Sequence, residues 1–250
     1  MSKPTVTPSS SSAAPAVSSS SAAVPYSRTL ASAFGQAYAH GSFQQAYAKA
    51  KAENSDTMGW LFVPGTTINL AVTQGKDNAY YLKHGLNKQY KWKGNPFLDY
   101  SDTLSPMSQN MIIYGHNMGD GDLFGQLKKY RQLDFLHKYP VIYFGIGGED
   151  YYWKIFSVYI TDVSFHYNVS SFVDDTAFES LIAQCTARSF FKTAVDVTGQ
   201  DTILTLSTCT YEFHNARFVV MARLLREQEN EALWDLPAGT NPDPVGPHGK

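Results

Sequence analysis

The stretch Ile203-Leu-Thr-Leu-Ser-Thr-Cys209, followed by Thr-Tyr-Glu-Phe-His-Asn-Ala and then Arg217-Phe-Val-Val-Met-Ala222, reads as two strands and a connecting loop. The first strand is apolar and closes in two small hydroxyl residues and a thiol. The second opens on an arginine. The seven residues TYEFHNA between them form the loop, and hairpin geometry brings the start of one strand beside the end of the other. Cys209 and Arg217 are therefore expected as neighbours, with the guanidinium able to stabilise negative charge in a transition state. Strand ends are where rigid scaffolds present reactive groups. A cysteine there is still more often structural than reactive, so the case needs a base or a charge partner.

His116 supplies that base. It terminates another apolar run, Met111-Ile-Ile-Tyr-Gly-His116, and is followed by Asn-Met-Gly-Asp-Gly. The flanking glycines permit close backbone approach at the strand end. Taken alone, His116 reads as a hydrogen-bonding loop residue. The other histidines, at 40, 84, 137, 166, 214 and 248, lie in helix, turn or tail contexts. The second cysteine has a different setting. Across Asp174 to Phe191, the residues Phe178, Leu181, Ile182 and Cys185 fall at i, i+3, i+4 and i+7, one face of a helix. Asp174 and Asp175 stand where a cap and a first-turn acid are favoured. Cys185 is expected on the buried stripe as a small core hydrophobe.

Outward from these segments the chain is a series of short strands. GWLFVPGTTINLAV from Gly59 reads as strand, turn, strand, and Met111–Tyr114, Val141–Phe144, Tyr151–Ile160, Ile203–Ser207 and Phe218–Leu225 follow. Many short strands in one domain predict a barrel or sandwich. Ahead of them, Pro25 to Ala52 carries Leu30, Phe34, Tyr38 and then Phe43, Tyr47 at helical spacing, broken at Gly41, so two short helices are expected. Residues 1–25 are almost wholly Ser, Ala, Pro, Thr and Val and read as a disordered leader or stalk, native or engineered. Residues 236–250, with Pro and Gly throughout, read as an irregular tail, and 26–235 as the single catalytic domain.

Composition excludes several classes of function. With 20 Lys+Arg against 22 Asp+Glu, a net charge of −2 and 17% charged residues, the chain lacks the basic stripe that nucleic-acid binding needs. At 43% hydrophobic it can bury a substantial core. Two cysteines cannot build a disulfide scaffold or a four-cysteine zinc site. No window reaches the roughly 18 apolar residues of a membrane span. Asp120-Gly-Asp122 lacks the ligand spacing of a calcium loop and reads as a solvated loop. Asn168-Val-Ser170 matches a glycosylation sequon without further support.

Together, TLSTC at 205–209 with Arg217 eight residues on, and IIYGHNM at 112–118, closely resemble the sortase family, and more specifically its class B members. Asn78-Ala-Tyr-Tyr-Leu82, Phe97-Leu-Asp99, the LFGQLKKY run after the histidine and Ile155-Phe-Ser-Val-Tyr159 fit the same pattern, over about residues 28–226. The resemblance implies an eight-stranded sortase-type β-barrel, mainly β with helices, having two N-terminal helices and a long helix before the penultimate strand. It implies a surface cysteine transpeptidase of Gram-positive bacteria that cleaves a C-terminal sorting signal of secreted proteins through a thioester. The acceptor would be an amine of peptidoglycan or, in a pilus-assembling sortase, a pilin lysine. Cys209 would be the nucleophile, His116 the general acid/base and Arg217 the oxyanion or substrate-carbonyl stabiliser. Asn78, Leu82, Tyr114, Ser207 and Thr208 would line the substrate groove, with core packing the plainer reading of Leu82 and Tyr114. No metal or organic cofactor is implied. The native form would be membrane-anchored at the extracellular face. Many class B members place an acid directly after the cysteine, whereas here Thr210-Tyr211 intervene before Glu212. A papain-like hydrolase is disfavoured because the histidine precedes the cysteine. A catalytically silent sortase-fold surface domain is disfavoured because Cys209, His116 and Arg217 are all present.

Overall fold

Strands that are apolar on both faces need cover on both, and the fold supplies it by closing a sheet and then packing a helix on its outside. The computed structural model describes residues 42–226, 229 and 237–249. Its strands are β1 (Thr57–Phe62), β2 (Asn69–Gln74), β3 (Phe97–Leu98), β4 (Asn110–Tyr114), β5 (Val141–Ile146), β6 (Tyr152–Asp162), β7 (Phe191–Thr193), β8 (Ile203–Cys209), β9 (Ala216–Leu224) and β10 (Ala238–Thr240). Eight of them form a closed barrel in the order β1-β2-β3-β4-β8-β9-β6-β5, and β7 pairs separately with β10. The pairs β2·β3 and β4·β8 are parallel, and the other barrel neighbours are antiparallel. The helices are α1 (Ser42–Glu53), α2 (Leu133–Lys138) and α3 (Asp175–Arg188), with 3₁₀ turns at Tyr80–Leu82 and Phe124–Arg131.

Alternation along the strands sorts residues to the two sides of the wall. Met111, Ile113, Leu204, Leu206, Val220 and Ala222 point into the barrel, where they pack with Leu61, Val72, Phe144 and Trp153. Their neighbours Ile203, Val219 and Met221 point outward and are covered by Phe178, Leu181, Ile182 and Cys185 of α3, together with Phe156, Tyr159 and Tyr167. The helix therefore lies on the outside of the barrel against β6 and the neighbouring outward side chains of β8 and β9, with the expected stripe buried and Cys185 fully inaccessible. It begins where Asp174 accepts a hydrogen bond from the Ala177 N–H at 2.8 Å and stops at the extended Ser189, three residues short of the expected end at Phe191. Phe191 is the first residue of β7 instead.

The helix expected in the second half of Pro25–Ala52 is α1, whose Phe43 stacks on Tyr143 at 4.4 Å between ring centroids. The first of the two expected helices and the leader lie outside the described residues. Residues 236–250 are not uniformly irregular, as their composition suggests. Ala238–Thr240 adds to the edge of β7, and Asn241 donates to the Ser189 carbonyl at 2.9 Å. A three-residue edge strand leaves backbone groups unpaired, and a glycine- and proline-rich segment has enough extended backbone to satisfy them.

Replacing Asp174 with Ala is expected to cost about 1 kcal/mol in urea unfolding through the lost cap. Phe178→Ala is expected to cost about 3–5 kcal/mol through the cavity it leaves beneath α3. Equal, negligible losses for both would contradict the packing of α3 described above.

Candidate active site

Register alone brings the reactive residues together. On one side β8 pairs antiparallel with β9 so that Cys209 stands opposite Arg217. On the other it pairs parallel with β4, matching Tyr114 to Ser207. The pairing runs past the end of β4, because the Gly115 N–H donates to the Ser207 carbonyl at 3.2 Å and the Thr208 hydroxyl donates to the Gly115 carbonyl at 2.6 Å. His116 and Cys209 each lie two residues beyond that last matched pair, and both line the same cavity. Gly115 is required for this approach: a Cβ there would lie 2.8 Å from the Phe124 ring. Asn215, in the left-handed region at φ 63°, makes the turn into β9 and suits a residue type that tolerates it.

Period-two alternation puts Ser207, Cys209 and Arg217 on the outer face of the barrel, just beyond the part covered by α3. There they line a cavity of about 300 Å³. All of the candidate residues read from the sequence line it: His116, Cys209 and Arg217, and with them Asn78, Leu82, Tyr114, Ser207 and Thr208. Leu82 and Tyr114 are half-buried at the wall of this cavity rather than packed in the core. Ser207 and Thr208 are buried with their hydroxyls engaged, Ser207 with the Tyr167 hydroxyl at 2.7 Å and Thr208 with Gly115 as above. Cys209 is a free, partly exposed thiol. The His116 Nε2 lies 2.9 Å from the Leu82 carbonyl oxygen. A carbonyl only accepts, so Nε2 carries the hydrogen in the neutral ring and Nδ1 is the nitrogen free to exchange a proton.

The sequence named Phe97 only within the Phe97-Leu-Asp99 segment and did not single out Val163, Tyr167 or Asn168 as site residues, yet all four line the cavity. Asn168 figured only as part of a sequon, and Tyr167 lies in an irregular segment with no periodicity to mark it. Nor did it show the polar support under the wall. Asp99 is buried and its Oδ2 accepts from the Asn78 amide at 2.8 Å and from the Tyr114 hydroxyl at 2.9 Å. Burial pushes the Tyr114 phenol well above its usual range, so it remains a donor. Asp102, three residues on, accepts the Ile112 N–H at 2.7 Å and so braces the strand that leads to His116. Burial, with a contribution from Asp99, pushes the Asp102 carboxyl up to about 7.

The second thiol is chemically remote. Cys185 is enclosed on the helix's core face, where burial pushes it up to about 12 and the Tyr159 hydroxyl lies 3.4 Å from its sulfur. Asp120 and Asp122 both pair with Lys93, the latter at 2.6 Å, so the expected solvated loop is tied by a lysine. Among the described residues no group of three or more His, Cys, Asp or Glu is arranged to hold a metal ion.

A closed barrel that sets a thiol, an imidazole and a guanidinium in one cleft is a scaffold for cysteine-dependent acyl chemistry. The family model for the sortase domain matches residues 61–225. Sortase B of Listeria monocytogenes is 38% identical over 174 residues, covering 69% of this chain and 71% of that protein. Clostridium perfringens sortase B has a solved structure that superposes with a TM-score of 0.68 at 33% identity, over 72% of this chain and 99% of that one. A Staphylococcus aureus sortase B–substrate complex superposes with a TM-score of 0.69 at 30% identity, over 74% of this chain and 87% of that one. The chain belongs to the sortase family of Gram-positive bacteria, as a class B sortase, and is a cysteine transpeptidase. No helix among the described residues is long and apolar enough to cross a membrane.

Two measurements probe this geometry. Under native conditions at pH 8, iodoacetamide is expected to modify Cys209 at least tenfold faster than Cys185, since only the thiolate reacts and Cys185 is buried and protonated. Peptide mass mapping reads the result, and faster labelling of Cys185 would contradict it. For Asp102 the folded carboxyl sits near 7 against the ordinary 3.8. The folded state therefore binds this proton more tightly than the unfolded chain. Its stabilising effect is complete below about pH 4 and is lost as pH rises through about 7. Asp102→Asn is thus expected to gain stability relative to wild type between pH 5 and pH 8, read by thermal unfolding. A pH-independent difference would refute it.

Proposed function

We propose that Cys209 is the nucleophile, His116 the proton carrier and Arg217 the oxyanion stabiliser of a transpeptidase that cleaves a C-terminal sorting signal. The observation that carries the reading is the cross-strand pairing of Cys209 with Arg217 in the cavity that His116 also lines. The Cys209 thiolate attacks the scissile carbonyl. Arg217 hydrogen-bonds the tetrahedral oxyanion. His116 gives its proton to the departing amine as the C–N bond breaks, leaving a thioester on the sulfur. The neutral imidazole then takes a proton from the incoming amine, whose nitrogen displaces the thiolate and closes the new amide bond. Thioesters favour aminolysis over hydrolysis, which suits transfer in water.

The acyl donor on this reading is a sorting-signal peptide lying against Asn78, Leu82, Tyr114, Ser207 and Thr208, consistent with the substrate complex of the Staphylococcus relative. The acceptor is an amine of peptidoglycan or its precursor, and the enzyme works at the extracellular face of the membrane.

Incubating the protein with quenched sorting-motif peptides and an amine acceptor tests this. Wild type is expected to cleave the peptide and join it to the amine. Cys209→Ala should abolish both, Arg217→Ala should lower the rate about 10²–10³-fold, and Cys185→Ala should remain active. Undiminished cleavage by Cys209→Ala would rule the mechanism out.

A further inference from the structure

A second cavity opens one residue past the reactive pair on each strand. It measures about 500 Å³ and is lined by Asn117 and Gly119 after His116, by Thr210, Tyr211 and Glu212 after Cys209, and by Lys128 and Arg131 of the 3₁₀ segment. The first cavity is lined by His116 and Cys209, and the second by residues that follow each of them directly in the chain. This arrangement matters for transfer. Once the donor's acyl part fills the first cavity, an incoming amine needs a separate approach to the carbonyl on Cys209.

The charges of the second cavity define what fits it. Glu212 is already committed: one carboxylate oxygen pairs with the Arg131 guanidinium and the other accepts from the Thr210 hydroxyl. Arg131 is further placed over the Phe218 ring, 5.7 Å from its centroid. Lys128 is exposed and, among the described residues, makes no ion pair. The lining therefore carries one uncompensated positive charge. Tyr211, 81% exposed, adds a flat aromatic wall. A cationic, partly aromatic cavity repels a bare ammonium at its rim and holds a carboxylate.

We propose that this cavity is the acceptor site, and that it takes an amino-acid or peptide amine carrying a free carboxylate, which Lys128 pairs while the amine reaches Cys209. The proposal rests on the transpeptidase reading above. Glu212, third after the cysteine where an adjacent acid is common in the class, serves here to fix Arg131 and the loop that forms the cavity wall.

Two probes differing in one charge test it: triglycine and its C-terminal amide. Titrated into the Cys209→Ala protein and followed by backbone amide NMR, triglycine should shift signals of Lys128, Tyr211 and Glu212 and bind about tenfold more tightly than the amide, the scale of one charge-assisted contact. Lys128→Glu should erase that preference, whereas Lys192→Glu, on β7, should keep it. In the active enzyme, Lys128→Glu should lower the ratio of transpeptidation to hydrolysis about tenfold with triglycine. Equal binding of the two probes, shifts confined to the first cavity, or an unaltered product ratio would overturn the proposal. Absence of any donor cleavage would instead overturn the transpeptidase reading, and the NMR titration would still decide the acceptor site.

Discussion

The pairing of β8 with β9 on one side and β4 on the other is the constraint that creates the site. Cys209 meets Arg217 through an antiparallel register, and His116 reaches the same edge through a parallel one. A slip of one residue in either ladder would turn the slipped strand's side chains to the opposite face of the wall. Such a slip would bury polar groups in the barrel and expose Leu204 or Val220, so the hydrophobic pattern that stabilises the barrel also fixes the chemistry. The thiol sits on the outer face, one step beyond the part that α3 covers. That position leaves it open to a peptide while the backbone beneath it stays rigid.

Polar contacts extend this order from the strands to the cavity walls. The Asp99 carboxylate joins Asn78 of a loop to Tyr114 at the end of β4, and Asp102 holds the N–H of Ile112 in the strand leading to His116. Ser207 and Tyr167 tie the wall to the segment before α3. Most of these side chains are held by another, which fixes the wall of the first cavity. The cavity beyond Thr210 is built differently, from largely exposed residues around one ion pair.

Much of this was legible in the sequence because it depends on local signals. Apolar runs ending in a reactive side chain located β4 and β8, and the spacing of Phe178, Leu181, Ile182 and Cys185 separated the buried thiol from the other. Barrel closure itself is not a local property, and short strands alone left a sandwich open. The resemblance of TLSTC, Arg217 and IIYGHNM to sortases supplied it. The residues that sequence reasoning missed act through tertiary contact. Tyr167 and Asn168 occupy an irregular segment, Asp99 gains its role only once Asn78 and Tyr114 converge on it, and the β10 pairing joins residues some 45 positions apart. No periodicity marks such positions, since their partners are distant in the chain.

The central claim, that Cys209 carries the acyl group, is tested most directly by trapping the intermediate. The protein would be mixed with a sorting-motif peptide without amine, quenched in acid and digested for mass spectrometry. The account predicts a hydroxylamine-sensitive thioester on the peptide containing Cys209 and an unmodified Cys185. An acyl adduct on Cys185, or cleavage that proceeds with Cys209 replaced by Ala, would contradict it.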